Sequence, residues 1–234
     1  MKKILFPLTI LGLGFFAYCK LKPGQAPSAT EPRPAAAAVN LSELKSKADA
    51  GDAAAQTAFG KILLDGTQTK ADQKEALRYY RMAAEQNFAD ALSALGELTQ
   101  AGRGMPANPA EAARLYRLAA DKGSVAGQYN LAYLYEQGSG VPQSEKDAAK
   151  YYQLAAEGGD SLAQFDIGQR YKLGVGVKTD LVQAFKWLAL AAAQGQVDSA
   201  KLLAQLKNDL SRDQKAEAQR QVKEFKPHVS QTHP

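Results

Sequence analysis

Residues 120–155 read ADKGSVAGQYNLAYLYEQGSGVPQSEKDAAKYYQLA, and this stretch decides the fold because its pattern recurs along the chain. The recurrence is clearest in alanine pairs that follow one another at intervals of 36 residues: Ala83-Ala84, Ala119-Ala120, Ala155-Ala156 and Ala191-Ala192. A period of about 20 to 50 residues is typical of a stacked solenoid, in which each unit buries its apolar face against its neighbours. The spacing therefore predicts one elongated array of repeats.

Each repeat of this array has the periodicity of two amphipathic helices. Apolar residues recur every three or four positions from Val125 to Gln137, which predicts a first helix, helix A. Gly138 follows this helix, at a position where a left-handed backbone favours glycine. A second helix, helix B, is predicted from about Glu145 to Glu157. The fold class is therefore all-α, an α-solenoid of helix-turn-helix repeats with a 36-residue period.

Two columns of equivalent positions predict how the helices pack. Small residues allow helix A to approach helix B closely, and they stand at Gly60, Gly96, Ala132 and Gly168. Large side chains fill the space between neighbouring units, and they stand at Tyr79, Leu115, Tyr151 and Trp187.

The terminal repeats lack one neighbour each and require capping helices. At the front, we expect Asn40 to cap a helix with Glu43 in its first turn, and Leu41 and Leu44 to face inward. At the back, we expect Ser211 to cap a polar helix over residues 212–225. Its apolar face is predicted from Ala216, Ala218 and Val222, and Pro227 ends it.

The repeated motifs resemble those of Sel1-like repeats, which are related to tetratricopeptide repeats. The shared elements are an Ala-Glu/Asp-x-Gly turn, a Leu-Gly or Leu-Ala pair in helix A, a Gly-x-Gly-Val loop, and an Ala-x-x-Tyr/Trp-Tyr/Leu-x-x-Ala-Ala run in helix B. The resemblance covers residues 48–207. It implies a right-handed superhelix in which helix A lines the concave surface, and a protein that binds other proteins.

The repeats and the composition divide the chain into segments. We predict a signal peptide or lipoprotein signal over 1–19, a Pro/Ala-rich linker over 20–39, a solenoid over 40–226 and a tail over 227–234. Within the solenoid, the four repeats are placed at 48–83, 84–119, 120–155 and 156–191, followed by a partial fifth repeat and the C-terminal capping helix.

The amino terminus has the features of an export signal. Lys2 and Lys3 precede an uncharged apolar run from Ile4 to Tyr18, about 22 Å of helix against a bilayer core of about 30 Å. Such a short run after basic residues is typical of a secretory signal peptide. The chain is therefore expected in the bacterial cell envelope, in the periplasm or anchored to a membrane.

Cys19 is the only cysteine and follows the apolar run directly. Its placement resembles that of the lipidated cysteine of bacterial lipoproteins, although Tyr18 stands where that family has a small residue. Three alternatives stay open: lipidation of Cys19, cleavage at or near Cys19, and an uncleaved signal anchor.

The charge distribution gives no pattern for nucleic-acid binding. The formal net charge of +5 comes from the two ends of the chain, since residues 40–200 hold 17 basic and 19 acidic side chains. No repeat carries the stripe of basic residues that follows a phosphate backbone. We therefore expect no nucleic-acid partner.

The residue types needed for most catalytic and metal sites are scarce. The two histidines, His228 and His233, stand near the carboxyl terminus, which disfavours His-based triads and zinc sites. The sequence predicts no metal site, no cofactor and no enzymatic activity. One alternative stays open, an acid/base pair formed by Glu136 and Asp166 in the groove, acting on cell-wall fragments.

Positions of helix A that face away from helix B predict the binding groove. In repeats three and four, these positions combine aromatic side chains with amides and charges, which suits the centre and rim of a protein interface. For Tyr129 and Phe165, packing between repeats is an open alternative. The predicted groove consists of Tyr129, Asn130, Tyr133, Gln137, Phe165, Asp166, Gln169 and Lys172. The predicted function is an exported, membrane-tethered scaffold that presents this concave surface to a protein partner.

Overall fold

The computed structural model describes residues 40–65 and 70–228. This part of the chain folds into eleven helices and contains no strand. The helices are α1 (Leu41–Asp49), α2 (Ala53–Asp65), α3 (Lys70–Glu85), α4 (Ala89–Ala101), α5 (Pro109–Asp121), α6 (Val125–Gln137), α7 (Glu145–Glu157), α8 (Ser161–Leu173), α9 (Leu181–Ala193), α10 (Val197–Leu206) and α11 (Arg212–Glu224). None of the helices in these ranges is long and apolar enough to cross a bilayer.

Successive helices pack as hairpins, as the repeat predicts. The pairs α2–α3, α4–α5, α6–α7 and α8–α9 are the most extensive helix contacts, and each hairpin packs on the next. The first helices of neighbouring hairpins also touch, since α4 contacts both α2 and α6. These first helices, α2, α4, α6 and α8, form the inner surface of the solenoid, and we call them the A helices.

Capping residues in the sequence fix where the helices begin and end. Ser124 accepts a hydrogen bond from the backbone of Gly127 at the start of α6, and Ser144 caps α7 in the same way. Gly138 ends α6 in the left-handed conformation, with a φ of 66°. The predicted bounds of the two helices in the third repeat are therefore confirmed. Gly66, which stands at the equivalent position of the first repeat, lies outside the described residues.

Small residues on the A helices allow the close packing that the sequence predicts. A Cβ atom built on Gly96 would lie 2.7 Å from Cε1 of Tyr116, and one built on Gly60 would lie 3.1 Å from Cζ of Tyr80. Glycine at these two positions therefore leaves room for the ring from helix B, whereas a Cβ atom would crowd it. The column of large side chains that fills the space between neighbouring units is buried at Tyr79, Leu115 and Trp187 and half-buried at Tyr151.

The front capping helix confirms part of the prediction. Asn40 accepts a hydrogen bond from the backbone N–H of Glu43, as expected for an N-cap. Leu44 packs against a buried cluster formed by Ala48, Ala55, Phe59 and Tyr79. Leu41 is 50% exposed, so its predicted inward position is wrong. Leu41 is the first residue of α1, where a side chain lies beyond the edge of the surface that α2 offers.

The back capping helix begins with a complete capping box between Ser211 and Gln214. It ends at Glu224, one residue earlier than predicted, and Ala218 rather than Ala216 is its buried alanine. Beyond the helix, Phe225 packs edge-on against the indole of Trp187, with ring centroids 5.6 Å apart. The chain therefore folds back along the fourth hairpin after its last helix.

Candidate functional site

The eight predicted groove residues lie on α6 and α8, two neighbouring A helices. Tyr133 and Gln137 are exposed, whereas the other six are half-buried. Tyr133 is 44% exposed, which makes it one of the few large apolar side chains on the surface of the described chain. It stands one repeat before Gln169, which occupies the equivalent position on α8.

Tyr129 and Phe165 both contribute to packing. The ring of Tyr129 packs edge-on against Tyr152 on α7, with centroids 5.5 Å apart. Phe165 packs against the hydrophobic cluster of α9 and α10. These two side chains therefore form the floor of the inner surface, and Tyr133 projects from it.

An ion-pair cluster joins the third and fourth hairpins beside this surface. Arg170 on α8 donates one hydrogen bond to Glu136 on α6 and one to Glu145 on α7, each at 2.6 Å. The hydroxyl of Tyr152 donates to the second oxygen of Glu136 at 2.9 Å, and the guanidinium of Arg170 lies 5.1 Å from the centroid of the same ring. The carboxylate of Glu136 is thus held by two partners.

Arg170 is not among the predicted site residues, although a pattern marks it. Its equivalents in the other repeats are apolar: Ile62, Leu98, Leu134 and Leu206. Leu98, Leu134 and Leu206 are buried, and Arg170 is only 6% exposed in the same place. A single charged residue in a leucine column of a repeat protein is the feature that could have revealed it.

Asp166 lies between the ion-pair cluster and Tyr129. Its pKa is raised to about 7, mainly because burial disfavours the charged carboxylate and further because Glu136 repels it. Arg170 and a hydrogen bond from the hydroxyl of Tyr129 act in the opposite direction. The structure therefore places Glu136 and Asp166 near each other, as the acid/base alternative requires, with Glu136 occupied by Arg170.

A second polar contact continues the inner surface toward the front of the solenoid. Asn130 on α6 donates a hydrogen bond to Glu97 on α4 at 3.2 Å. Burial raises the pKa of Glu97, whereas Asn130, Arg103 and Lys61 lower it. The side-chain amide of Asn130 therefore links the third repeat to the second.

The other predicted sites lie mostly outside this surface. Cys19 and His233 lie outside the described residues. His228 is exposed, and its backbone N–H donates to the carbonyl of Glu157 at 2.8 Å. Within residues 40–65 and 70–228, no group of three or more His, Cys, Asp or Glu side chains is placed to hold a metal ion.

Stacked helical hairpins with a continuous inner surface define the class of protein: an all-α repeat solenoid. The model of the Sel1 repeat family matches residues 52–88, 89–124, 125–160 and 161–196. These matches cover more than half of the chain, and the chain belongs to the Sel1 repeat family. No curated protein matches its sequence.

Solved structures of Sel1 repeat proteins have the same architecture. A Sel1 repeat protein from Oxalobacter formigenes is 31% identical over 71% of this chain and 48% of its own length, with a TM-score of 0.64. A protective antigen present in uropathogenic Escherichia coli strains, which displays an SLR fold, is 26% identical over 81% of this chain and 49% of its own length, with a TM-score of 0.52. This chain spans about half the length of either relative.

The family indicates a general class of function. Sel1 repeat proteins are generally scaffolds for protein–protein interactions, and their fold is typically non-catalytic. A rigid solenoid suits this task because it offers a long surface without rearrangement.

Proposed function

We propose that this protein is a non-enzymatic scaffold that binds a segment of a protein partner along the inner surface of repeats three and four. The observation that carries the proposal is the exposure of Tyr133 on an A helix, above a floor formed by Tyr129 and Phe165. An exposed aromatic ring with a firmly packed base is the usual centre of a binding hot spot. Asn130 and Gln169 supply hydrogen-bonding groups beside it.

The ion pairs of Arg170 with Glu136 and Glu145 stabilise the helices that carry this surface. Arg170 fixes α8 against α6 and α7, so that Tyr133 and Gln169 keep a constant separation. A preorganised surface binds more tightly than a flexible one, since less conformational entropy is lost on association. The mechanism is presentation of a rigid surface, with no covalent step.

The variant Tyr133→Ala/Gln169→Ala tests this site in a pull-down from envelope extracts with the full chain as bait. Leu154→Ala is the matched control, because Leu154 is exposed to a similar degree on helix α7. We expect the double variant to lose a partner that wild type and Leu154→Ala both retain. Equal recovery by all three baits would overturn the assignment of the site.

We also propose that the protein is exported and tethered to a membrane of the bacterial envelope through Cys19. The apolar run before Cys19 and the Pro/Ala-rich segment after it support this proposal. Labelling of cells with a lipid precursor tests it by comparison of wild type with Cys19→Ser. Labelling is expected in wild type only, and equal labelling of the two chains would contradict lipidation.

A second candidate function is acid/base chemistry on cell-wall fragments. The raised pKa of Asp166, near the carboxylate of Glu136 that pairs with Arg170, is the observation that favours it. Turnover of muropeptides by the full chain, abolished in Asp166→Asn, would support this alternative. Absence of turnover in wild type would leave the scaffold as the function.

A further inference from the structure

The inner surface of repeats one and two contains a pocket that the groove prediction did not include. It has a volume of about 470 Å³ and lies between α2 and α4, with one side closed by Ala126 of α6. This volume falls within the usual range for small-ligand sites, about 300 to 1,000 Å³.

The pocket exists because two positions carry smaller side chains than their equivalents in later repeats. Thr57 and Ser93 stand in the same column as Tyr129 and Phe165, whose rings fill the inner surface of repeats three and four. Because the side chains of Thr57 and Ser93 are small, the space that an aromatic ring would occupy at these positions stays open.

The hydroxyl of Ser93 does not reach the open space of the pocket. Ser93 is 2% exposed, and its Oγ is closed off from solvent. The hydroxyl of Thr57 donates to the carbonyl of Ala53. A ligand therefore needs another hydrogen-bonding group on the pocket wall.

The hydroxyl of Tyr80 is such a group, since Tyr80 lines the pocket. Its equivalents donate to a side chain on the A helix of their own repeat: Tyr116 to Gln100, and Tyr152 to Glu136, each at 2.9 Å. In the first repeat, Leu64 stands at the acceptor position and cannot accept a hydrogen bond. The hydroxyl of Tyr80 is therefore available at the pocket.

The charges around the pocket favour a positive ligand. Its lining includes three carboxylates and two cations. Lys61 and Arg103 act on Glu97, yet burial still raises the pKa of that carboxyl. Burial raises the pKa of the Tyr80 hydroxyl, and Glu97 and Asp65 raise it further. With three carboxylates against two cations, the formal charge of the lining is −1. The lining carboxylates are Asp65, Asp90 and Glu97.

We infer that this pocket binds a lysine or arginine side chain of the partner, with Glu97 as the counter-charge and the hydroxyl of Tyr80 as a hydrogen-bond acceptor. The inference rests on the proposed function, since it adds a basic anchor to a segment that lies along the inner surface. A basic side chain fits because its three to five N–H donors can satisfy a carboxylate and the hydroxyl of Tyr80 together.

The test uses the full chain and three small probes in ¹H–¹⁵N NMR titrations: N-acetylarginine amide, its neutral isostere N-acetylcitrulline amide, and N-acetylglutamate amide. We expect the arginine probe to shift the amide resonances of Ser93 and Glu97, and the other two probes to leave them in place. Shifts of equal size with the citrulline probe, or shifts with the glutamate probe alone, would overturn the inference.

Two variants and one control test whether the arginine probe binds in this pocket. Glu97→Gln is expected to weaken binding of the arginine probe at least about tenfold, since it removes a charge-assisted hydrogen bond. Tyr80→Phe is expected to weaken it about two- to tenfold, because it removes the hydroxyl that accepts a hydrogen bond from the probe. Asp121→Asn makes the same charge change on an exposed residue outside the pocket and is expected to have no effect.

The probes are titrated without any protein partner, so the result is independent of the site in repeats three and four. If the arginine probe binds while Tyr133→Ala/Gln169→Ala still recovers the partner, the proposed function fails and the pocket stands. If the double variant loses the partner but no probe binds, the pocket inference alone fails.

Discussion

Replacement of Arg170 by leucine tests whether its position belongs to the packing pattern of the repeat. Leu134 and Leu206, its equivalents on α6 and α10, are fully buried. Arg170 occupies the same place and forms two ion pairs of 2.6 Å with Glu136 and Glu145. Arg170→Leu therefore removes two ion pairs and restores the side chain that the column otherwise carries.

The expected free-energy changes nearly cancel. Two hydrogen bonds to charged groups are worth about 1.5–3 kcal/mol each at most, but both carboxylates are partly exposed and recover water when Arg170 is removed. The variant also avoids the cost of burying a guanidinium, several kcal/mol, and buries a leucine, about 1.5–3 kcal/mol. We expect the stability of Arg170→Leu to lie within about 1 kcal/mol of wild type.

Arg170→Ala gives the necessary contrast. It loses the same ion pairs but leaves a cavity, so it is expected to cost about 2–4 kcal/mol. Leu134→Ala calibrates the same column and is expected to cost about 2–5 kcal/mol. The measurement is urea denaturation of the full chain, followed by circular dichroism, for wild type and the three variants.

A further readout separates packing from electrostatics. Arg170 lowers the pKa of Asp166, so both Arg170 variants are expected to raise that pKa above its value of about 7. Carboxyl-carbon NMR titration measures it. If Arg170→Leu is as unstable as Arg170→Ala, the ion pairs and not the leucine column determine stability at this position, and the reasoning is wrong.

Three other predictions follow from the loops, the inner surface and the C-terminal segment. A side chain at Gly140 would overlap the backbone of the preceding hairpin, whereas Gly195 has the same sign of φ and open space around it. Gly195→Ala should therefore cost about 1–2 kcal/mol in urea denaturation, and Gly140→Ala at least about 2 kcal/mol more; equal costs would contradict the overlap. The raised pKa of Asp166 means that its contribution to stability is lost as the pH rises from about 4 to about 7. Asp166→Asn should lack this loss and melt higher than wild type at pH 8 but not at pH 4, and parallel melting curves would refute it. Phe225→Ala should cost about 1–3 kcal/mol and shift the fluorescence of the single tryptophan, Trp187, to longer wavelength; an unchanged spectrum would contradict that packing.

The sequence predicts the fold well because the same pattern of two helices occurs in four repeats, so that a weak signal in one repeat is clarified by the others. The helix bounds in the third repeat follow from Val125 to Gln137 and from Gly138, because apolar spacing and a left-handed glycine mark them directly. Leu41 was misassigned because α1 has no earlier unit to pack against, and the repeat pattern carries no information about a surface that occurs once.

The candidate site is harder to predict because it depends on departures from the pattern. The column alignment identifies the A-helix positions, yet it does not show that Phe165 packs toward α9 and α10 while Tyr133 projects outward. Arg170 escaped notice for a related reason. Its ion pairs join three helices, and the pocket is lined by residues of four helices, so that no single repeat contains either of them.

The most direct test of the proposed scaffold is site-specific photo-crosslinking in cells that express the full chain. A photoreactive phenylalanine analogue replaces Tyr133 on the inner surface or, as the control, Leu154 on α7. The account predicts a discrete crosslinked protein partner from position 133 and none from position 154. Crosslinking of the same partner from position 154 and not from position 133 would contradict the assignment of the inner surface as the binding site.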